Sequence, residues 1–223
     1  MDIKRNVEEI LEDIKKCSPY PEKVKLVAVT KYSPVEDIDL FLTTGQNICG
    51  ENKVQVIKEK IEYFKEKEKK VEWHFIGNLQ KNKVKYIIED VNLIHSVNKL
   101  ALAQEINKKA EQINKIQDVL IEINIFGEES KQGYNLEDFE KDIEELKKLK
   151  NLNITGLMTM APFIEEEKVL RKVFSDLRKV KDELNEKYFF GSLTELSMGM
   201  SNDYKIALEE GSTFIRVGTK IFK

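Results

Sequence analysis

Val24-Lys25-Leu26-Val27-Ala28-Val29-Thr30-Lys31 is an apolar, β-branched run that closes on a hydroxyl and a lysine. Side chains along a strand alternate in direction, so Val27, Val29 and Lys31 share one face while Leu26, Ala28 and Thr30 share the other. Seven further short runs follow: Asn47–Gly50, Trp73–Gly77, Leu93–Val97, Val119–Asn124, Ile154–Met160, Glu195–Met198 and Thr213–Val217. Between them lie charged segments with apolar residues at helical spacing, such as Val54, Ile57, Ile61 and Phe64, or Phe139, Ile143, Leu146 and Leu149. A further helix, Ile3 to Cys17, precedes the first strand. Such strand–helix alternation implies parallel pairing, because each crossover helix returns the chain to the same end of the sheet.

Eight parallel strands form either a closed barrel or an open, doubly wound sheet. No GxGxxG follows the first strand, where a dinucleotide-binding sheet places its phosphate turn. Polar and glycine residues instead collect after the C-terminal ends of many strands: Thr30-Lys31, Gly50-Glu51-Asn52, Gly77-Asn78, Ser96, Asn124, Met160, Gly199 and Gly218-Thr219. A barrel builds its site from all of those ends, whereas an open sheet concentrates it at one switch point. The expected fold is an α/β (β/α)8 TIM barrel with an extra N-terminal helix, forming one domain over 1–223. At 223 residues it is a compact example, since such barrels take about 250.

The chain is 41% hydrophobic, enough for one core, and 35% charged. Lys+Arg 37 against Asp+Glu 40 leaves a net charge of −3, with both signs interspersed. That excludes the basic face of a general nucleic-acid or anionic-membrane binder. No signal-peptide core and no membrane-length apolar run occurs, so a cytoplasmic protein is expected. Cys17 and Cys49 stand outside any CxxC or Cys/His cluster; free thiols and no metal site are expected.

Three features carry chemistry. If Val27 and Val29 face the barrel axis, Lys31 reaches the catalytic mouth, where lost solvent would free its amine to attack an aldehyde. A strand-end lysine otherwise simply reaches back to water. Met198-Gly199-Met200-Ser201-Asn202-Asp203 ends the seventh strand and opens a helix, with Ser201 or Asn202 expected as its N-cap. Arg216-Val217-Gly218-Thr219 ends the eighth strand, with Gly218 allowing close backbone approach and Thr219 offering a hydroxyl. Loops after strands seven and eight are the usual phosphate cradle of these barrels, and helix-end N–H groups favour the dianion. Arg216 points inward by strand parity; a buried arginine ordinarily pairs with a carboxylate.

These segments fall in order with Gly50-Glu51-Asn52, His74-Phe75-Ile76-Gly77-Asn78-Leu79-Gln80, Ile94-His95-Ser96-Val97 and Gly156-Leu157-Met158-Thr159-Met160. The series resembles the pyridoxal phosphate homeostasis proteins over essentially the whole chain. The resemblance implies a fold-type-III barrel, like the N-terminal domain of alanine racemase, that carries pyridoxal 5′-phosphate as a Schiff base on Lys31. It places Ser201, Gly218 and Thr219 around the phosphate, Arg216 against the pyridine nitrogen, Asn52 near the ring, and Met200 and Met160 as apolar neighbours. Guanidinium is a pure donor, so the ring nitrogen would stay an unprotonated acceptor, which disfavours chemistry through a long-lived carbanion. Lys53, where the family often carries tyrosine, and the Ile221-Phe222-Lys223 terminus depart from the pattern without touching these motifs.

Outside the motifs, His74 and His95 read as satisfied core histidines. Glu122 is left open as a polar core group or a ligand contact, and Lys131 lies on a solvated loop. The resemblance implies an intracellular vitamin B6 homeostasis protein, not an established enzyme, that supplies the cofactor to apoenzymes; the expected state is a monomer. The alternative is a weak amino-acid racemase, which needs a second acid/base beyond Lys31. An aldolase-type barrel would leave the inward Arg216 unexplained.

Overall fold

The helical stripe at the N-terminus comes first in space as well as in sequence. A computed structural model describes residues 2–127 and 132–223, and in it α1 runs Ile3–Cys17 and buries Ile3, Val7, Ile10 and Ile14. Their three- and four-residue spacing puts all four on one face. Asp2 caps the helix by accepting the Arg5 N–H at 3.1 Å.

Eight strands follow: β1 Lys25–Val29, β2 Ile48–Glu51, β3 Glu72–Phe75, β4 Val91–Val97, β5 Gln117–Glu122, β6 Leu152–Met158, β7 Glu195–Met200 and β8 Phe214–Val217. They pair in parallel in sequence order, and β8 returns to β1, closing the barrel. The crossovers carry α2 Val35–Leu42, α3 Val54–Glu66, α4 Leu100–Glu111, α5 Leu136–Leu146, α6 Glu167–Leu184 and α7 Tyr204–Glu209. Between β3 and β4 a short 3-10 segment, Lys81–Tyr86, takes the helix position. All eight expected strands are present, with ends moved by one or two residues.

The last helix, α8, covers only Thr219–Phe222 and is too short to shield the β8–β1 wall. α1 supplies the missing cover: it packs against α2, α7 and α8, and Asn6 Nδ2 donates to the Ile221 carbonyl at 3.0 Å. Tyr204 on α7 donates to Asp13 on α1 at 2.5 Å.

Strand alternation divides the buried residues as the first strand foretold. Leu26 and Ala28 join the large shell beneath the helices, whereas Val27 packs with Leu93, Leu120, Met158 and Phe214 in a small cluster inside the barrel. The rest of the interior is polar: His74, His95, Ser197 and Arg216 are each at most 4% exposed. A Cβ on Gly77 would lie 2.2 Å from the Asn52 carbonyl oxygen, so glycine is what lets the ends of β2 and β3 close together. Among the described residues no helix is long and apolar enough to cross a membrane.

Candidate functional site

All strands point the same way, so their C-terminal ends share one mouth. Register fixes who stands there. Val27 pairs with Arg216 across β1–β8, and Val29 pairs with Gly50 across β1–β2. Two residues further on, Lys31 and Asn52 therefore rise from neighbouring strands on the inward parity, with Gly218 level with Val29. A Cβ on Gly218 would sit 3.0 Å from the Val29 carbonyl oxygen, which confirms that close passage.

The loops after β7 and β8 meet as expected. The Gly218 N–H donates to Ser201 Oγ at 3.3 Å, joining them at the rim directly above Arg216. Thr219 is exposed beside them, and Met200 is half-buried, paired in register with Arg216. The Arg216 guanidinium is 4% exposed and donates to Ser197 Oγ at 2.5 Å and to the Thr159 carbonyl at 3.0 Å. Burial pulls it down to about 10, with Asp203 and Glu122 opposing, so it stays charged at neutral pH.

Two expectations change. Lys31 is exposed, its Nζ 5.2 Å from the centre of the Tyr32 ring, so the desolvation expected of it is not met. The mouth's rim is open at β1, and strand parity alone does not report depth. The N-cap of α7 is Asp203, not Ser201 or Asn202, which lie in the preceding turn. Asp203 wins because its carboxylate folds back to accept the Met200 N–H at 2.5 Å, closing that turn first. Met160 is 40% exposed, on the loop after β6. Lys131 lies outside the described residues.

Glu122 shares the parity of Leu120 and so faces the barrel interior at the end of β5. It is 2% exposed, and its Oε2 has no hydrogen-bond partner among the described residues. Burial pushes its carboxyl up to about 7 from 4.5, with the Arg216 charge pulling the other way. A raised carboxyl binds its proton more tightly in the folded state, so the contribution of Glu122 to stability is fully present below about 4.5 and is lost as pH rises towards 7. The span corresponds to roughly 3 kcal/mol. Glu122→Gln is expected to gain about 2–3 kcal/mol at pH 8 and to flatten that decline in denaturant titrations of the cofactor-free protein; an unchanged pH profile would place the titration elsewhere.

Two clusters escaped the motif reading. Lys60 on α3 is 7% exposed; its Nζ donates to Glu51 Oε1 and to the Thr30 carbonyl, each at 2.6 Å. Thr30 Oγ1 donates to the same Glu51 oxygen at 2.7 Å. The signal was present: Lys60 lies in the apolar stripe of Ile57, Ile61 and Phe64. The other cluster is Ser197 with the two histidines, which only cross-barrel register assembles.

A sequence profile described as alanine racemase, N-terminal domain, matches residues 2–223. The pyridoxal phosphate homeostasis protein of Aquifex aeolicus is 41% identical over 220 residues, 99% of this chain and 95% of that one. That of Escherichia coli K12 is 33% identical over 99% of this chain and 96% of its own. The chain belongs to the pyridoxal phosphate homeostasis protein family. Among solved structures, Synechococcus elongatus PipY, described with PLP bound, superimposes with a TM-score of 0.90 at 30% identity, covering 99% of this chain and 100% of PipY. Clostridium difficile alanine racemase matches at a TM-score of 0.74 and 15% identity over 99% of this chain and 56% of the racemase, a likeness of fold alone. For the homeostasis family, then, the barrel and its N-terminal helix stand as expected from sequence.

Proposed function

We propose that this chain binds pyridoxal 5′-phosphate at the C-terminal mouth, as a Schiff base on Lys31, and holds it for supply to dependent apoenzymes. The observation that carries this reading is the Ser201–Gly218 junction, set above Arg216 on the wall from which Lys31 rises. The residues fit the group. Gly218 leaves the rim free of a Cβ that Val29 would obstruct, and Ser201 and Thr219 bring hydroxyls to a phosphate. The buried Glu122 Oε2 offers an unused acceptor to a polar substituent.

When bound, pyridoxal phosphate supplies an aldehyde that condenses with a primary amine. Lys31 supplies that amine at an open rim, which suits loading and release. Arg216, locked by Ser197 and Thr159, presents donors only and so would hold a ring nitrogen set against it unprotonated. A site built this way retains its ligand and gives little help to carbanion chemistry. The reading goes with a single 1–223 domain, cytoplasmic and monomeric, with apoenzymes as partners and no nucleic-acid or membrane partner.

The test is to add pyridoxal phosphate to purified protein, record the visible band, reduce with borohydride and map the labelled peptide. Label on Lys31 is expected; label on another lysine, or no band, overturns the site. Ser201→Ala and Thr219→Ala are each expected to weaken cofactor affinity by about ten- to a hundredfold, since a lost hydrogen bond to a charged group is worth about 1.5–3 kcal/mol. The melting temperature should hold; unchanged affinity in equilibrium dialysis would remove the phosphate assignment.

A further inference from the structure

Four buried side chains form a continuous polar line down the barrel axis. Arg216 Nη1 lies 2.5 Å from Ser197 Oγ, and Ser197 Oγ lies 2.8 Å from His95 Nδ1. His95 Nε2 lies 3.0 Å from His74 Nδ1, and His74 Nε2 lies 3.0 Å from Glu72 Oε1. His95 and Ser197 are fully buried, and His74 is 1% exposed. Phe214 packs edge-on against both imidazoles, with centroids 5.4 Å away. Glu72 and His74 open into a cavity of about 320 Å3 at the opposite, N-terminal end of the barrel, with Lys25, Asp118 and Glu195 around it.

With both imidazoles neutral, the carboxylate end of the line fixes the direction of every bond in it. Guanidinium only donates, and an ionised carboxylate only accepts. Beginning at Glu72, His74 must carry its proton on Nε2, which leaves Nδ1 to accept from His95 Nε2–H. His95 Nδ1 then accepts from the Ser197 hydroxyl, whose lone pair accepts from Arg216. The Arg216 end agrees with this: Ser197 Oγ accepts there and keeps its own hydrogen for His95 Nδ1. Burial keeps both imidazoles neutral: it lowers His74 despite the pull of Glu72, and lowers His95 well below the usual range with His74 and Arg216 adding to the effect. Lys25 on β1 and Glu195 on β7 act weakly and oppositely on His74, while Glu122 and Asp203 face Arg216.

We propose that His95, backed by His74 and Glu72, is a positioning residue for Arg216: a one-way hydrogen-bond chain holds Ser197 as an acceptor and so fixes the guanidinium beneath the cofactor. The role assigned to Arg216 rests on the cofactor reading above; the chain itself does not. Without His95 to accept its hydrogen, the Ser197 hydroxyl is free to rotate, and the oxygen that accepts the charge-assisted Arg216 contact is no longer held in one orientation. The whole line runs through the interior, so the mouth is oriented from the far end of the barrel.

The chain holds two histidines, and these are the two, so imidazole nitrogen NMR on cofactor-free, tag-free protein sees this line alone. Both rings are expected neutral with the proton on Nε2 at about pH 7. His95→Phe, which keeps the ring packing, and Ser197→Ala are each expected to weaken pyridoxal phosphate binding about tenfold, and the double variant no further, because they break one chain. An Nδ1–H tautomer or a charged ring at neutral pH overturns the proposal. So does wild-type affinity in His95→Phe, or losses that add in the double variant. Failure of the wild-type protein to bind the cofactor would overturn the functional reading instead, leaving the tautomers to decide the chain.

Discussion

Lys31→Ala is expected to abolish borohydride-fixable cofactor completely while leaving the fold untouched. Lys31 is exposed, at the turn after β1, and its only ring neighbour among the described contacts is Tyr32, itself 81% exposed. Surface substitutions of this kind shift stability by about 0.5 kcal/mol or less, so the unfolding midpoint should not move. On the proposed reading, pyridoxal phosphate then keeps only its non-covalent contacts at the mouth, such as Ser201, Thr219, Gly218 and Arg216, and dialysis should strip it. Lys31→Arg is the control that keeps the positive charge but offers no condensing amine; it should behave as alanine does. Borohydride label surviving in either variant would move the linkage to another lysine. Lys60, the buried lysine among the described residues, is no rival, because both of its strong contacts lie beneath α3 on the outward parity of β1 and β2.

The openness of Lys31 marks the boundary of what sequence can tell. Period-two alternation put Val27 and Leu26 on opposite faces, and the helix expected from Ile3 to Cys17 is α1 at its observed limits. Both are local patterns, set by strand and helix geometry, and so legible in a single segment. The meeting of Ser201 with Gly218 followed from the known habit of adjacent barrel loops. Depth at the rim is another matter, because it depends on how far neighbouring loops rise around Lys31. The Asp203 turn was hidden for a related reason: two Asx-type residues, Asn202 and Asp203, compete for one cap, and only the Met200 N–H decides. The histidine line was the least legible. Ser197 and His95 are 102 residues apart, and they touch only because β4 and β7 face each other across the closed barrel.

The buried Lys60–Glu51 pair shows how such hidden contacts bear on the site. Glu51 is fully buried, and its Oε2 has no partner among the described residues; its other oxygen is shared by Lys60 and Thr30. Lys60→Met keeps the aliphatic stem in the stripe of Ile57, Ile61 and Phe64 but leaves that carboxylate without a countercharge. Removing one partner of a buried pair costs about 3–5 kcal/mol, because the remaining charge stays desolvated. For a domain of this size that lowers the melting temperature by roughly 6–20 °C. Adding Glu51→Gln to Lys60→Met should recover most of the loss, since no uncompensated charge then remains. The Thr30 carbonyl also loses its Lys60 donor, and Thr30 immediately precedes Lys31. Cofactor retention by folded Lys60→Met should therefore fall, and the double variant, though restored in stability, should not recover it. Calorimetry and equilibrium dialysis on the two variants separate the effects. A melting temperature within a degree or so of wild type for Lys60→Met would mean that water or a rearranged Thr30 satisfies Glu51, and that the pair contributes little to either stability or the placing of Lys31.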